Sequence, residues 1–148
     1  MVDNLNDTGK NLQKEILQKK DGYGVPAFER WLNPIYRGAL EKPDGYARVT
    51  GPCGDTMEIF LRFDKDRINA AAFETDGCGS SAVCGSFAAE MALGKSPDEL
   101  LGVTGDAILE KLEGLPEKER HCAFLAGETL QEALSNYMIK VTSAGKDT

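Results

Sequence analysis

The residues best suited to metal or sulfur chemistry lie in three short stretches: Gly51-Pro52-Cys53-Gly54-Asp55, Asp76-Gly77-Cys78-Gly79 and His121-Cys122. His121 is the only histidine in the protein. A thiolate is the form that binds metal or attacks sulfur, so a functional cysteine needs surroundings that favour its anion. Cys78 stands just before a helix predicted from Ser80, and Cys122 at the start of a predicted C-terminal helix. Both would meet free backbone N–H groups and the positive end of a helix dipole. Gly54, Gly77 and Gly79 remove side-chain bulk, which lets the backbone approach a cluster or an incoming persulfide. Three thiolates with a carboxylate (Asp55) or an imidazole (His121) as fourth ligand suit iron–sulfur chemistry, and they suit zinc equally well. There is no CxxC pair, so neither a zinc ribbon nor a ferredoxin pattern is present. On residue types alone, three buried structural cysteines carry about as much weight as a site.

The elements that must position these residues follow from periodicity. Tyr46–Thr50 reads as a short strand and Thr56–Phe63 as a stronger one. In the latter, Met57, Ile59, Leu61 and Phe63 share one face, Thr56, Glu58 and Arg62 the other, and Phe60 is the exception. Asp64-Lys65-Asp66 makes a tight reversal into a third strand, Arg67–Thr75, giving a three-stranded antiparallel meander with one face covered by helices. Ahead of it, Met1–Thr8 reads as loose, Asn11–Lys20 as helical and Pro26–Trp31 as a second short helix. Ile35–Gly45 reads as a connecting loop packed down by Phe28, Trp31 and Tyr36. After the sheet, small and apolar residues from Ser80 to Leu93 predict a helix closed by Gly94. Ser96-Pro97-Asp98-Glu99 is a capping-box helix start, and Thr104 caps a helix with Ile108, Leu109 and Leu112 inward. The last helix is predicted from about His121 to Lys140, with Ala126, Leu130, Ala133, Leu134, Tyr137 and Met138 inward and a loose tail from Thr142. The fold class is α+β: a three-stranded antiparallel sheet with helices on one face, the site at one end of the sheet and a long C-terminal helix.

The bulk numbers set limits on function. A length of 148 residues suits a single domain spanning 1–148, with loose tails at 1–8 and 142–148. Hydrophobic content of 41% supplies a core without help from disulfides or metal. A net charge of −7, with no basic run longer than Lys19-Lys20, argues against nucleic acid or an anionic membrane as partner. No stretch resembles a signal peptide or approaches the roughly 20 apolar residues of a membrane span, so a cytoplasmic location is expected. In a reducing compartment the cysteines are then thiols, ligands or nucleophiles before they are disulfides.

From about Asn33 to Lys140 the chain resembles the NifU/IscU-type iron–sulfur cluster scaffold proteins. The residues that carry the resemblance are Gly51-Pro52-Cys53-Gly54-Asp55-Thr56-Met57, Gly77-Cys78-Gly79-Ser80-Ser81 and His121-Cys122-Ala123-Phe124-Leu125-Ala126. Asn33-Pro34 and Pro43-Asp44-Gly45 add to it. The resemblance implies a scaffold that takes persulfide sulfur from a cysteine desulfurase and ferrous iron (Fe2+). It builds a transient [2Fe-2S] cluster and passes this to apo iron–sulfur proteins or carriers. Cys53, Cys78 and Cys122 are then cluster ligands and sulfur acceptors, with Asp55 and His121 as the exchangeable fourth ligand. Cys122 is the first choice for persulfide acceptor, on the grounds of a flexible approach after Pro116. Zn2+ fits the same ligands in the protein as isolated, and a homodimer is compatible with the reading.

Two departures mark the chain within that resemblance. Leu115-Pro116-Glu117-Lys118 keeps only part of the Leu-Pro-Pro-Val-Lys stretch that an Hsp70/J-type chaperone reads in bacterial housekeeping members. A sulfur-transfer branch, SufU-like, acts as a zinc-dependent accessory that accepts persulfide without building a cluster. It carries a longer insertion between its second and third cysteines and lacks the histidine; this chain has His121 and no obvious insertion. Cys84 reads as a small buried apolar residue, and Lys118 and Arg120 as solvated charges.

Overall fold

A computed structural model describes residues 22–77 and 79–146. Cys78, the helix expected over Asn11–Lys20 and the loose start Met1–Thr8 lie outside the described residues. The elements run α1 (Val25–Leu32), β1 (Gly45–Thr50), β2 (Thr56–Asp64), β3 (Arg67–Thr75) and α2 (Gly79–Ala92). They continue through α3 (Pro97–Leu100), α4 (Gly105–Leu112), a 3-10 turn (Glu117–Glu119) and α5 (His121–Lys146).

The three strands form an antiparallel sheet in the order β1-β2-β3. Alternation decides the covered face: Met57, Ile59 and Leu61 are buried, flanked by Ala47 of β1 and by Ala71 and Phe73 of β3. Phe60, the exception to the alternation, is buried on the opposite face, where its ring lies 5.0 Å from that of Tyr46 and its register partner is Ala72. A register shift at Arg62/Phe63 ends the regular pairing of β2. The hairpin then turns on Lys65 and Asp66, both left-handed at φ +52° and +63°, the backbone pattern whose twist matches a two-residue hairpin.

α2 lies on this covered face and is buried over nearly its whole length. Small residues make that possible. A Cβ at Gly85 would stand 2.5 Å from the Phe73 ring and 2.9 Å from Met57 Sδ, so only glycine lets helix and sheet approach this closely. Cys84 is fully buried, as a small apolar residue would be. The capping box forms as predicted, with Ser96 Oγ accepting from Glu99 N–H and Glu99 accepting from Ser96 N–H. Thr104 caps α4, burying Ile108 and Leu112.

α5 packs across β1 and β2 through Ala126, Leu130, Ala133 and Leu134, and Tyr137 stacks on Phe63 at 3.6 Å. Two expectations are corrected here. Met138 is 43% exposed, because the buried stripe ends at Tyr137, the residue that meets the hairpin end of the sheet. The helix also runs to Lys146, six residues past the expected stop, into the segment read as a tail. Extending a formed helix adds one hydrogen bond per residue fixed, and Val141, Thr142 and Ser143 supply no break.

Candidate metal centre

One end of the sheet gathers four chain segments. The β1–β2 turn is closed by Gly54 N–H donating to Gly51 O (3.0 Å) and Gly51 N–H donating to Asp55 O (2.8 Å). Gly54 has φ +93°, which a side chain would strain, and the turn leaves Cys53 exposed and Asp55 half-buried. The end of β3 is laced to this turn: Thr56 N–H donates to Asp76 Oδ1 (2.7 Å), and Thr75 Oγ donates to Thr56 O (2.7 Å) while accepting from Gly77 N–H (3.0 Å). The first turn of α2 adds Ser81, whose hydroxyl donates to Asp55 Oδ2 (3.0 Å). The first turn of α5 adds His121 and Cys122.

These segments bring Cys53, Asp55 and His121 together, one ligand atom from each lying within 4.8 Å of the others. Cys122 Sγ is 3.7 Å from His121 Nε2 and 3.4 Å from Ser81 Oγ. The donors therefore form one continuous patch of two sulfurs, a carboxylate and an imidazole. Its outer part, Cys53 and His121, faces solvent, and its inner part, Cys122, is fully buried. Sulfur and nitrogen donors with one oxygen suit zinc and iron, and they do not suit calcium or magnesium, which take oxygen ligands.

A family profile, the NifU-like N terminal domain, matches residues 23–144. The chain belongs to this family. The NifU-like domain is 39% identical over 119 residues to "Iron-sulfur cluster assembly scaffold protein IscU 1" of Archaeoglobus fulgidus, covering 80% of this chain and 78% of that one. It is 37% identical over 123 residues to "Iron-sulfur cluster assembly enzyme IscU" of Drosophila melanogaster, covering 80% and 79%. Among solved structures it is similar to a nitrogen-fixing NifU-like protein (N-terminal) from Brucella abortus, with a TM-score of 0.63 and 21% identity over 79% of this chain and 94% of that one. That likeness bears on the fold, an open three-stranded sheet with a long closing helix.

Within the NifU-like domain the predicted residues Cys53, Asp55, His121 and Cys122 meet at one end of the sheet, and Cys78 lies outside the described residues. One expectation changes. The flexible approach expected at Cys122 is corrected: Cys122 is the second residue of a regular helix and wholly buried, because that position of α5 turns toward Ser81 and the core. Lys118 and Arg120 are exposed, and with Trp31, Leu115 and Pro116 they border a cleft of about 910 Å³ beside the site.

Three contributors were not read from the sequence. Ser81 touches both Asp55 and Cys122. Trp31 lies edge-on against Gly79, so that a Cβ there would meet its indole. Tyr23 OH donates to Glu119 Oε2 (2.7 Å) and pairs with Ser80 Oγ (2.7 Å), tying the segment ahead of α1 to the first turn of α2 and to the 3-10 turn before α5. Only the Ser-Ser pair of Gly77-Cys78-Gly79-Ser80-Ser81 hinted at this, and it gave no partner.

Proposed function

We propose that this NifU-like domain acts as one unit, an iron–sulfur cluster assembly scaffold whose cargo is built at the Cys53–Asp55–His121–Cys122 patch, with Cys78 completing the thiol set. The observation that carries the proposal is the convergence of Cys53, Asp55 and His121 within 4.8 Å, with Cys122 3.7 Å from His121. The names of the relatives support it, since both describe iron–sulfur cluster assembly. One is called a scaffold and the other an enzyme; a patch with an exposed outer part fits a carrier that releases its product.

A cysteine desulfurase supplies sulfur as a persulfide. Attack by a scaffold thiolate on the terminal sulfur forms a new S–S bond at the scaffold and releases the donor's thiolate. Each such sulfur needs two electrons to become sulfide; for two sulfurs, the two ferrous ions supply one electron each as they become ferric and a thiol reductant supplies the other two, which leaves an oxidised [2Fe-2S] cluster. Among the described cysteines, Cys53, being exposed, is the thiol an incoming persulfide reaches without rearrangement. Asp55 provides a hard oxygen ligand among soft ones, the weakest hold on a cluster iron and the natural point of release. Apo-proteins or carriers then take the cluster. Among the described residues no helix is long and apolar enough to cross a membrane, and we place the work in the cytoplasm.

The test is anaerobic reconstitution with ferrous iron, cysteine and a catalytic desulfurase, followed by absorption spectra and iron and sulfide analysis. Visible charge-transfer bands with matched iron and sulfide, lost in Cys53→Ala, are expected. A colourless protein that gains persulfide and raises desulfurase turnover in a zinc-dependent way would instead make it a sulfurtransferase accessory, a reading the zinc-compatible donor set keeps open.

A further inference from the structure

We propose that Ser81 is a positioning residue for Asp55: its hydroxyl holds one carboxylate oxygen and so fixes the other as the single oxygen offered to a metal. This rests on the assignment of Asp55 as a ligand in the functional reading above. A buried serine or threonine inside a helix ordinarily bonds the carbonyl four residues earlier. Thr129 of α5 does that, donating to Leu125 O at 2.7 Å. Ser81 does not. Fully buried in the first turn of α2, it reaches across to the β1–β2 turn and donates to Asp55 Oδ2 at 3.0 Å.

The backbone around the pair is shaped for it. A Cβ at Gly77 would stand 2.5 Å from Ser81 Oγ and 2.8 Å from Asp55 Oδ2, so the peptide there walls the hydrogen bond on one side. Cys122 Sγ, 3.4 Å from Ser81 Oγ, closes another. A hydroxyl has one proton. While Ser81 gives it to Asp55, the contact with Cys122 runs the other way, from S–H to Oγ. One side chain thereby joins the oxygen ligand to the buried sulfur.

Outer hydrogen bonds of this kind are worth about 10- to 100-fold in metal affinity. The test uses Co2+ alone as probe, titrated anaerobically and followed by its thiolate charge-transfer and d–d bands, so that it does not depend on whether the protein builds a cluster. Ser81→Ala is expected to weaken Co2+ binding by about tenfold or more, Asp55→Ala by at least as much, and the double variant no further than Asp55→Ala. Ser80→Ala removes the neighbouring hydroxyl, which pairs with Tyr23, and is expected to stay within about twofold of wild type. A merely structural tie would lower the melting temperature of Ser81→Ala and leave Co2+ affinity unmoved. Unchanged affinity in Ser81→Ala, additive losses in the double variant, or an equal loss in Ser80→Ala would each overturn the proposal. A Ser81 effect seen in Co2+ binding, with no cluster after reconstitution, would instead retire the scaffold reading and leave the role of Ser81 standing.

Discussion

His121 Nε2 lies 3.7 Å from Cys122 Sγ, yet the first residue is exposed and the second has no accessible surface. Two neighbours on one helix turn thus present a donor to solvent and a donor to the core. Access, more than thiol chemistry, then separates Cys122 from Cys53. A bulky maleimide is expected to label Cys53 at least about tenfold faster than Cys122 in the folded, metal-free protein, because reaction requires an exposed thiolate. Peptide mass spectrometry of a time course reads this directly. Equal rates would mean that the start of α5 opens readily in solution.

With Asp55 as the proposed hard ligand among soft ones, its removal is expected to lengthen the life of the cluster. In Asp55→Ala the imidazole of His121, which shares the patch, is left as the non-sulfur donor, a firmer partner for iron than a carboxylate. The half-life of the visible bands under chelator challenge is the measurement. Faster bleaching than wild type would remove Asp55 from its assigned role. The same variant can hold a single ion more weakly and still exchange a cluster more slowly, since one quantity is an equilibrium and the other a rate.

Gly77→Ala places a methyl group against Ser81 Oγ and Asp55 Oδ2. Overpacking of this sort costs about 1–3 kcal/mol. The expected outcome is a folded protein with a lower melting temperature and a metal affinity reduced as in Ser81→Ala. Calorimetry with the Co2+ titration separates the two effects.

Tyr137 gives a pH dependence far from the site. Burial pushes its phenol pKa up, and the carboxylate of Asp66, which accepts its hydrogen bond at 3.3 Å, pushes the same way. The folded protein therefore favours the neutral phenol. That contribution is complete below the unfolded value of about 10 and is lost as pH rises from there through the higher folded value. Denaturant midpoints are expected to fall above about pH 10, and less steeply in Tyr137→Phe.

How much of this was legible depended on how local the signal was. Ser96 and Glu99 announce their box because both partners lie within one turn. The strands showed themselves through alternation, and even Phe60 was marked as irregular, although its companions Tyr46 and Ala72 on the other face appear only once the register is known. Met138 kept the helical spacing but ran past the element it was meant to cover. The contact of Ser81 with Asp55 and that of Trp31, read only as a loop anchor, with Gly79 stayed silent for a related reason: the partners lie on other elements, and nothing in the spacing of Ser81 or Trp31 points to them. The cysteines and His121 were readable as chemistry, whereas their split into accessible and hidden donors was not.

The donors hang from segments that are far apart along the chain, a hairpin turn near residue 53 and the head of α5 near residue 121. Under the proposed function, cargo bound there would act as a removable staple between the sheet and its closing helix. Whatever binds the folded form alone stabilises it by mass action. The rigidity of this end of the molecule would then report its load: amide exchange at the start of α5 is expected to be slower in the cluster-loaded protein than in the empty one, as hydrogen-exchange mass spectrometry can read.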